Sequence, residues 1–154
     1  MEQVTVRQAT PEDAAELAVL LDRFDGEGAT PAQVARRMQA CAQVLTTWLA
    51  EVDGEVAGFA CLRLVPHLQG DAPYAELTDL YVEPPFRRRG VAGALMARIE
   101  GEAQSAGATE VVVITDTEND PAHAAYRAQG YGDWALAMRK CLYGLADGGR
   151  CREP

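Results

Sequence analysis

The sequence predicts one α/β domain built on a mixed sheet, and three observations carry that reading. Asp53-Gly54 is a favoured two-residue turn between apolar runs, which predicts an antiparallel hairpin. A strand pattern at 75–82, a helical pattern after Gly90 and the apolar run at 111–114 form a strand–helix–strand unit, whose strands run parallel. Two Thr-Pro pairs, at 10–11 and 30–31, start helices after the first strand. The chain has 154 residues, with no internal repeat or linker, so residues 1–144 are expected to form a single domain.

Each element has its own signal. VTVRQ at 4–8 alternates as a short strand does. Glu12 and Asp13 suit the positive end of a helix, and Leu17, Leu20, Leu21 and Phe24 recur at helical spacing. DGEG at 25–28 ends this helix, and Val34, Met38 and Cys41 mark one face of the next. TTWLAEV and EVAGFACLRLV are the two arms of the hairpin, and Pro66 ends the second. AELTDLYV at 75–82 is a strand stopped by Glu83-Pro84-Pro85. Val91, Leu95 and Ile99 line the following helix, which ends at Gly107. VVVI at 111–114 reads as a strand covered on both faces. Asn119-Asp120-Pro121 starts a shorter helix ending near Gln129, with Gly130 behind it. YGDWALAMRKCLY is expected to supply one or two last strands, and residues 145–154 a disordered tail. Trp48 and Trp134 are expected in the core or packed on a sheet edge.

Apolar residues make up 48% of the chain, enough for a core, and the net charge is −9. Such a balance argues against a nucleic-acid partner and suits a cationic one. No apolar run is long enough to span a bilayer, and the first residues lack the pattern of a secretion signal, so a cytoplasmic protein is expected. Cys41, Cys61, Cys141 and Cys151 match no metal-binding spacing. They read as reduced, incidental thiols, with Cys61 in the core.

Against this acidity, Arg87, Arg88 and Arg89 stand together before Gly90, where a helix begins. The first turn of a helix carries unpaired N–H groups and the positive end of the dipole. Glycine lets a ligand come close to the backbone, and arginine adds a fork matched to phosphate. The loop lies at the carboxyl end of a strand, where α/β sheets place ligands. It carries neither GxxxxGK[ST] nor GxGxxG. It is an anion site of another kind.

Its pattern, Arg87-x-x-Gly90-x-Ala92, resembles the pyrophosphate loop of the GNAT superfamily of N-acetyltransferases. Leu80, Val82 and Pro84 before it, Leu95-Met96 after it, and Asn119-x-x-Ala122-x-x-x-Tyr126-x-x-x-Gly130-Tyr131 downstream extend the resemblance over about residues 3–140. The resemblance implies a mostly antiparallel sheet with helices on both faces. It also implies acetyl-CoA as co-substrate, no metal, and often a homodimer. The backbone of Arg88, Arg89, Gly90, Val91 and Ala92, with the Arg87 side chain, would hold the pyrophosphate. A bulged, splayed strand would let Leu80, Tyr81 and Val82 pair with pantetheine, and Asn119 would bind the arm from the opposite wall. An N–H near Leu80 or Tyr81 would face the thioester oxygen.

For the chemistry, the resemblance points to Tyr126 as the acid that protonates the leaving thiolate. Glu76 or Asp79 is the base or acceptor carboxylate, with Glu76 favoured through a water. Strand alternation sets these two on opposite faces unless a bulge intervenes. Asp22, Asp25 and Glu27 border the expected acceptor pocket. The implied function is direct acetyl transfer to a primary amine, with a small cationic amine favoured. A peptide acceptor and a non-catalytic acyl-CoA-binding domain stand as alternatives.

Overall fold

The computed structural model describes residues 2–154. β1 (Val4–Gln8) leads through a 3-10 turn (Pro11–Asp13) into α1 (Ala14–Asp25) and α2 (Pro31–Cys41). β2 (Leu45–Val52) and β3 (Glu55–Val65) form the predicted hairpin, followed by β4 (Tyr74–Val82). α3 (Val91–Ser105), β5 (Val111–Val113) and α4 (Asp120–Ala128) complete the regular elements. The helix starts use the predicted chemistry. Asp13 accepts the Thr10 N–H at 2.8 Å, and Thr30 and Gln33 cap each other's backbone. Asp53 and Gly54 both take positive φ, 51° and 85°, as a tight hairpin turn requires.

The sheet order is β1-β2-β3-β4-β5, antiparallel throughout except for the parallel β4–β5 pair. α1 and α2 cover one face, burying Leu17, Leu20 and Val34 against Leu49 and Phe59. α3 covers the other, burying Val91, Leu95, Met96 and Ile99 against Trp48, Ala60, Leu62, Ala75 and Leu77. A mixed, mostly antiparallel sheet with helices on both faces is the expected architecture.

The end of the chain departs from expectation. β5 has three half-buried residues rather than a run covered on both faces, and Ile114 is 70% exposed. It forms the outer edge of the sheet. The segment expected to supply last strands carries none, and Trp134 is exposed rather than packed. A strand needs a partner ladder, and among the described residues this segment finds none. The tail expected to be disordered instead closes on itself. Cys141 and Cys151 form a disulfide, Leu145 and Cys151 share a β-bridge, and residues 147–149 make a 3-10 turn. Two of the four thiols are therefore not the reduced cysteines that their spacing suggested.

Among the described residues no helix is long and apolar enough to cross a membrane.

Candidate functional site

β4 changes character at Thr78. Leu77 faces Leu62 of β3 and Asp79 faces the preceding Cys61, so Thr78 is an extra residue, a β-bulge. β5 pairs with β4 at Ala75, Glu76 and Leu77 and nowhere beyond. From Thr78 to Val82 the strand keeps β3 on one side, with no strand on the other among the described residues. Gly58 holds this open half close to β3. A Cβ there would lie 2.4 Å from the Tyr81 carbonyl oxygen, so only glycine fits.

The bulge also settles the facing of the carboxylates. Leu77 and Leu80 pack on the α3 side, across an interval that plain alternation would make odd. Tyr81 joins the opposite core and packs at a tilt against Phe24 and Phe59, at centroid distances of 5.6 and 6.3 Å. Glu76 and Asp79 therefore share the α1–α2 face. Their surroundings differ. Glu76 is gripped by Arg63 at 2.6 and 3.1 Å and accepts from the Tyr74 hydroxyl at 3.4 Å. The Asp79 carboxylate accepts from the neighbouring Thr78 hydroxyl at 3.1 Å and lines a cavity.

At the far end of the open half lies the arginine loop. Arg88 and Gly90 both adopt left-handed backbone, φ 61° and 81°, which turns successive N–H groups to one side. The first helical bond of α3 is Ala94 N–H to the Gly90 carbonyl at 2.9 Å. Among the described residues, none of the N–H groups from Arg88 to Gly93 donates to an acceptor. The loop is exposed at Arg87, Arg88 and Gly90. Arg87 reaches back, its Nε donating to the Val82 carbonyl at 2.9 Å and its guanidinium 5.9 Å from the Tyr81 ring centre. Arg89 turns away, stacks on Phe86 and pairs with Glu2 at 2.6 Å. Its side chain is structural here, and its backbone remains in the loop.

α4 supplies the other wall. Asn119 caps it, Oδ1 accepting the Ala122 N–H at 3.2 Å, which leaves the amide NH₂ as a donor. Tyr126 is packed against the α3-side core and lies 5.7 Å from the Tyr131 ring. Burial, and then the charge of Asp79, hold the Tyr126 phenol above its ordinary range. It keeps its proton at neutral pH. The Tyr131 hydroxyl donates to Glu100 at 3.2 Å. His123 bonds the Asp116 carbonyl at 2.8 Å.

Asp25 and Glu27, expected to border the acceptor pocket, meet the tail. Glu27 pairs with Arg150 at 2.8 Å, and the same guanidinium holds the Asp25 carbonyl. Neither Asp25 nor Glu27 lines the cavity at Asp79. Cys61, expected in the core, is buried there and also lines the cavity beside Asp79. Burial pushes its thiol up to about 12, so it is inert as a nucleophile. The buried Glu83, paired with Arg23, also escaped the sequence reading. A carboxylate before two prolines carries no signal of burial.

Known proteins resemble this chain in sequence and in fold. Residues 15–131 match the model of the acetyltransferase (GNAT) family. An aminoglycoside N(6')-acetyltransferase type 1 from Stenotrophomonas maltophilia is 34% identical over 130 residues, covering 82% of this chain and 85% of the relative. An aminoalkylphosphonate N-acetyltransferase from Salmonella typhimurium is 35% identical over 94 residues, 61% of each chain. Among solved structures, aminoglycoside N-acetyltransferase AAC(6')-Iy in complex with CoA superposes with a TM-score of 0.77 at 22% identity, over 91% of this chain and 96% of that one. That likeness is one of fold. Family model, curated relative, split strand and open anion loop agree: this chain belongs to the GNAT family of acetyl-CoA-dependent N-acetyltransferases.

Proposed function

We propose that this acetyltransferase passes the acetyl group of acetyl-CoA directly to a small cationic amine within a ternary complex. The observation that carries the reading is the open row of N–H groups from Arg88 to Gly93 at the end of an unpaired strand edge. Those donors suit a pyrophosphate, which gains from both the helix end and the left-handed turns. Arg87 swings off the Val82 carbonyl to add its charge. The freed edge at Leu80, Tyr81 and Val82 then pairs with pantetheine amides, and Asn119 donates from the other wall.

In the transfer itself, Asp79 binds the ammonium and takes its proton, directly or through a water. This role passes from Glu76, whose oxygens already serve Arg63. The amine nitrogen bonds to the thioester carbon, and the oxyanion meets an N–H at Leu80 or Tyr81. The carbon–sulfur bond breaks, and Tyr126 gives its proton to the departing thiolate. The nitrogen loses its second proton to solvent as the amide forms, Asp79 releases the first, and Tyr126 takes one back, so an amide and free CoA thiol leave with one proton released. The net charge of −9 draws cations toward the cleft. The acceptor classes named for the Stenotrophomonas and Salmonella relatives support a small amine. Dependence on acetyl-CoA suits a cytoplasmic enzyme.

Thiol release from acetyl-CoA, measured with small amines and with peptides, tests this. Turnover with small amines is expected. Faster turnover with peptide N-termini overturns the acceptor class. CoA binding without turnover makes the chain an acyl-CoA-binding regulatory domain.

The reading includes a homodimer. Trp134, Leu136 and Met138 alternate along one segment and are 74%, 83% and 88% exposed, apolar surface that a second copy can cover. Light scattering should give twice the monomer mass, and Trp134→Ser should halve it.

A further inference from the structure

Between the α1–α2 layer and the sheet lies a cavity of about 420 Å³. Its floor follows one rung of the sheet, where Thr47 of β2 faces Cys61 of β3 and Cys61 faces Asp79 of β4. Its roof and walls are Leu17 and Leu21 of α1, Val34 and Met38 of α2, and Phe59. Among the described residues, Asp79 is the one carboxylate lining it, and Arg37 and Gln39 stand on its α2 side. The cavity thus starts at the bulge and runs under two helices, away from the gap between β4 and β5. Its volume is that of a small-molecule site.

This shape sorts amines by the chemistry behind the nitrogen. An ammonium at Asp79 gains a charge-assisted hydrogen bond. The next atoms meet aliphatic and aromatic carbon. There, each buried methylene strengthens binding about fourfold. Gln8, Thr10, Arg37, Gln39, Thr46 and Thr47 also line the cavity, but most of the exposed lining surface is apolar, so a ring bearing many hydroxyls would leave several of them without partners. Apolar surface of this kind also has no role in holding a nucleotide, whose loop lies on the other side of the bulge.

We infer that the acceptor is a primary amine with an apolar body, an alkyl or arylalkyl amine, whose hydrocarbon part fills the cavity under α1 and α2 while its nitrogen sits at Asp79. The inference rests on the acetyltransferase reading and narrows it. It sets this chain apart from the polyhydroxylated acceptors of an aminoglycoside acetyltransferase.

The test is thiol release from acetyl-CoA with linear amines from ethylamine to hexylamine, 2-phenylethylamine and glucosamine, with CoA affinity measured alongside. The expected kcat/KM rises about fourfold per methylene over the first steps of the series. Hexylamine and 2-phenylethylamine exceed glucosamine at least about tenfold. Ala42→Trp, at an exposed position on the rim, should lower the ratio of hexylamine to ethylamine turnover at least about fivefold. That ratio is read within one variant, so it is independent of how much of it folds. A flat series, a preference for glucosamine or an unmoved ratio overturns the inference and leaves the acetyltransferase reading standing. CoA binding with no amine acetylated overturns the inference and leaves the cofactor assignment. Absence of both CoA binding and turnover overturns the two readings together.

Discussion

The two halves of β4 differ in their neighbours: Ala75–Leu77 lies between two strands, while Thr78–Val82 has one. The first half buries Ala75 and Leu77 completely or nearly so and ties its outward carboxylate, Glu76, to Arg63. The second half exposes Thr78, keeps Asp79 to Val82 half-buried and leaves an edge of backbone donors and acceptors unpaired. One inserted residue separates them. It costs a few ladder bonds, offset by the close packing of Gly58 against the strand and by the Phe24–Phe59–Tyr81 cluster. What it yields is a slot, with a loop of unpaired N–H groups at its end and a carboxylate at its root.

The most drastic way to break this difference is to delete Thr78. The register on β3 then runs without interruption, since Leu62–Leu77 and Cys61–Asp79 become successive pairs. The strand no longer diverges from β5. The folded state should survive, with Tm retained, while kcat/KM falls about a thousandfold through loss of positioning and CoA affinity drops with it. A deletion variant that still turns over at near wild-type rate would show that the bulge does not make the site.

Next in size is Tyr126→Phe, expected to lower kcat about thirtyfold to a hundredfold while CoA affinity stays within about twofold of wild type. The raised phenol fixes the sign of the pH effect. Tyr126 stays protonated from acidic pH to beyond the ordinary tyrosine range near about 10, so the alkaline limb of the rate profile should not begin below that value on its account. Stopped turnover near neutral pH, relieved in the Phe variant, would contradict the assignment. Asp79→Asn removes the charge at the root of the slot. It should lower kcat/KM for the amine about tenfold to a hundredfold, the size of a hydrogen bond to a charged group, with CoA binding unchanged. Arg87→Ala should weaken CoA about tenfold by equilibrium titration, one ion pair's worth at a partly screened site. The backbone row remains in that variant.

Much of this fold was readable because its signals are local. The Thr-Pro starts, the Asp-Gly turn and the helical spacing of Val91, Leu95 and Ile99 each act within a few residues, and each matches an element. The arginine loop was legible for the same reason. The bulge was expected only from the family resemblance, since nothing in Leu77-Thr78-Asp79 marks one residue as supernumerary. Its position depends on the partner strand. The facing of Glu76 and Asp79 therefore had to wait for the structure, as did the pairing of Glu76 with Arg63 from the hairpin. The last segment failed for a related reason. The alternation in DWALAM satisfies the local rule for a strand, but a strand exists only with a partner, and β5 offers the chain's own segment no ladder. The link between Arg150 and the Asp25–Glu27 loop joins residues far apart in sequence, which no local pattern encodes.

The smallest expected effect is the sharpest on the comparison. Glu76 lies just before the bulge and shares a face with Asp79, yet its carboxylate is partly exposed and satisfied by Arg63 and Tyr74. Glu76→Gln should therefore cost less than about 1 kcal/mol of stability, as a partly exposed ion pair does. It should change kcat/KM by less than about threefold, since the glutamine amide can still meet Tyr74 and no reacting group is lost. Paired kinetics of Glu76→Gln and Asp79→Asn decide the matter. If Glu76→Gln falls as far as Asp79→Asn, the carboxylate in the closed half of β4 takes part in the chemistry, and the boundary at Thr78 is not the one that separates framework from site.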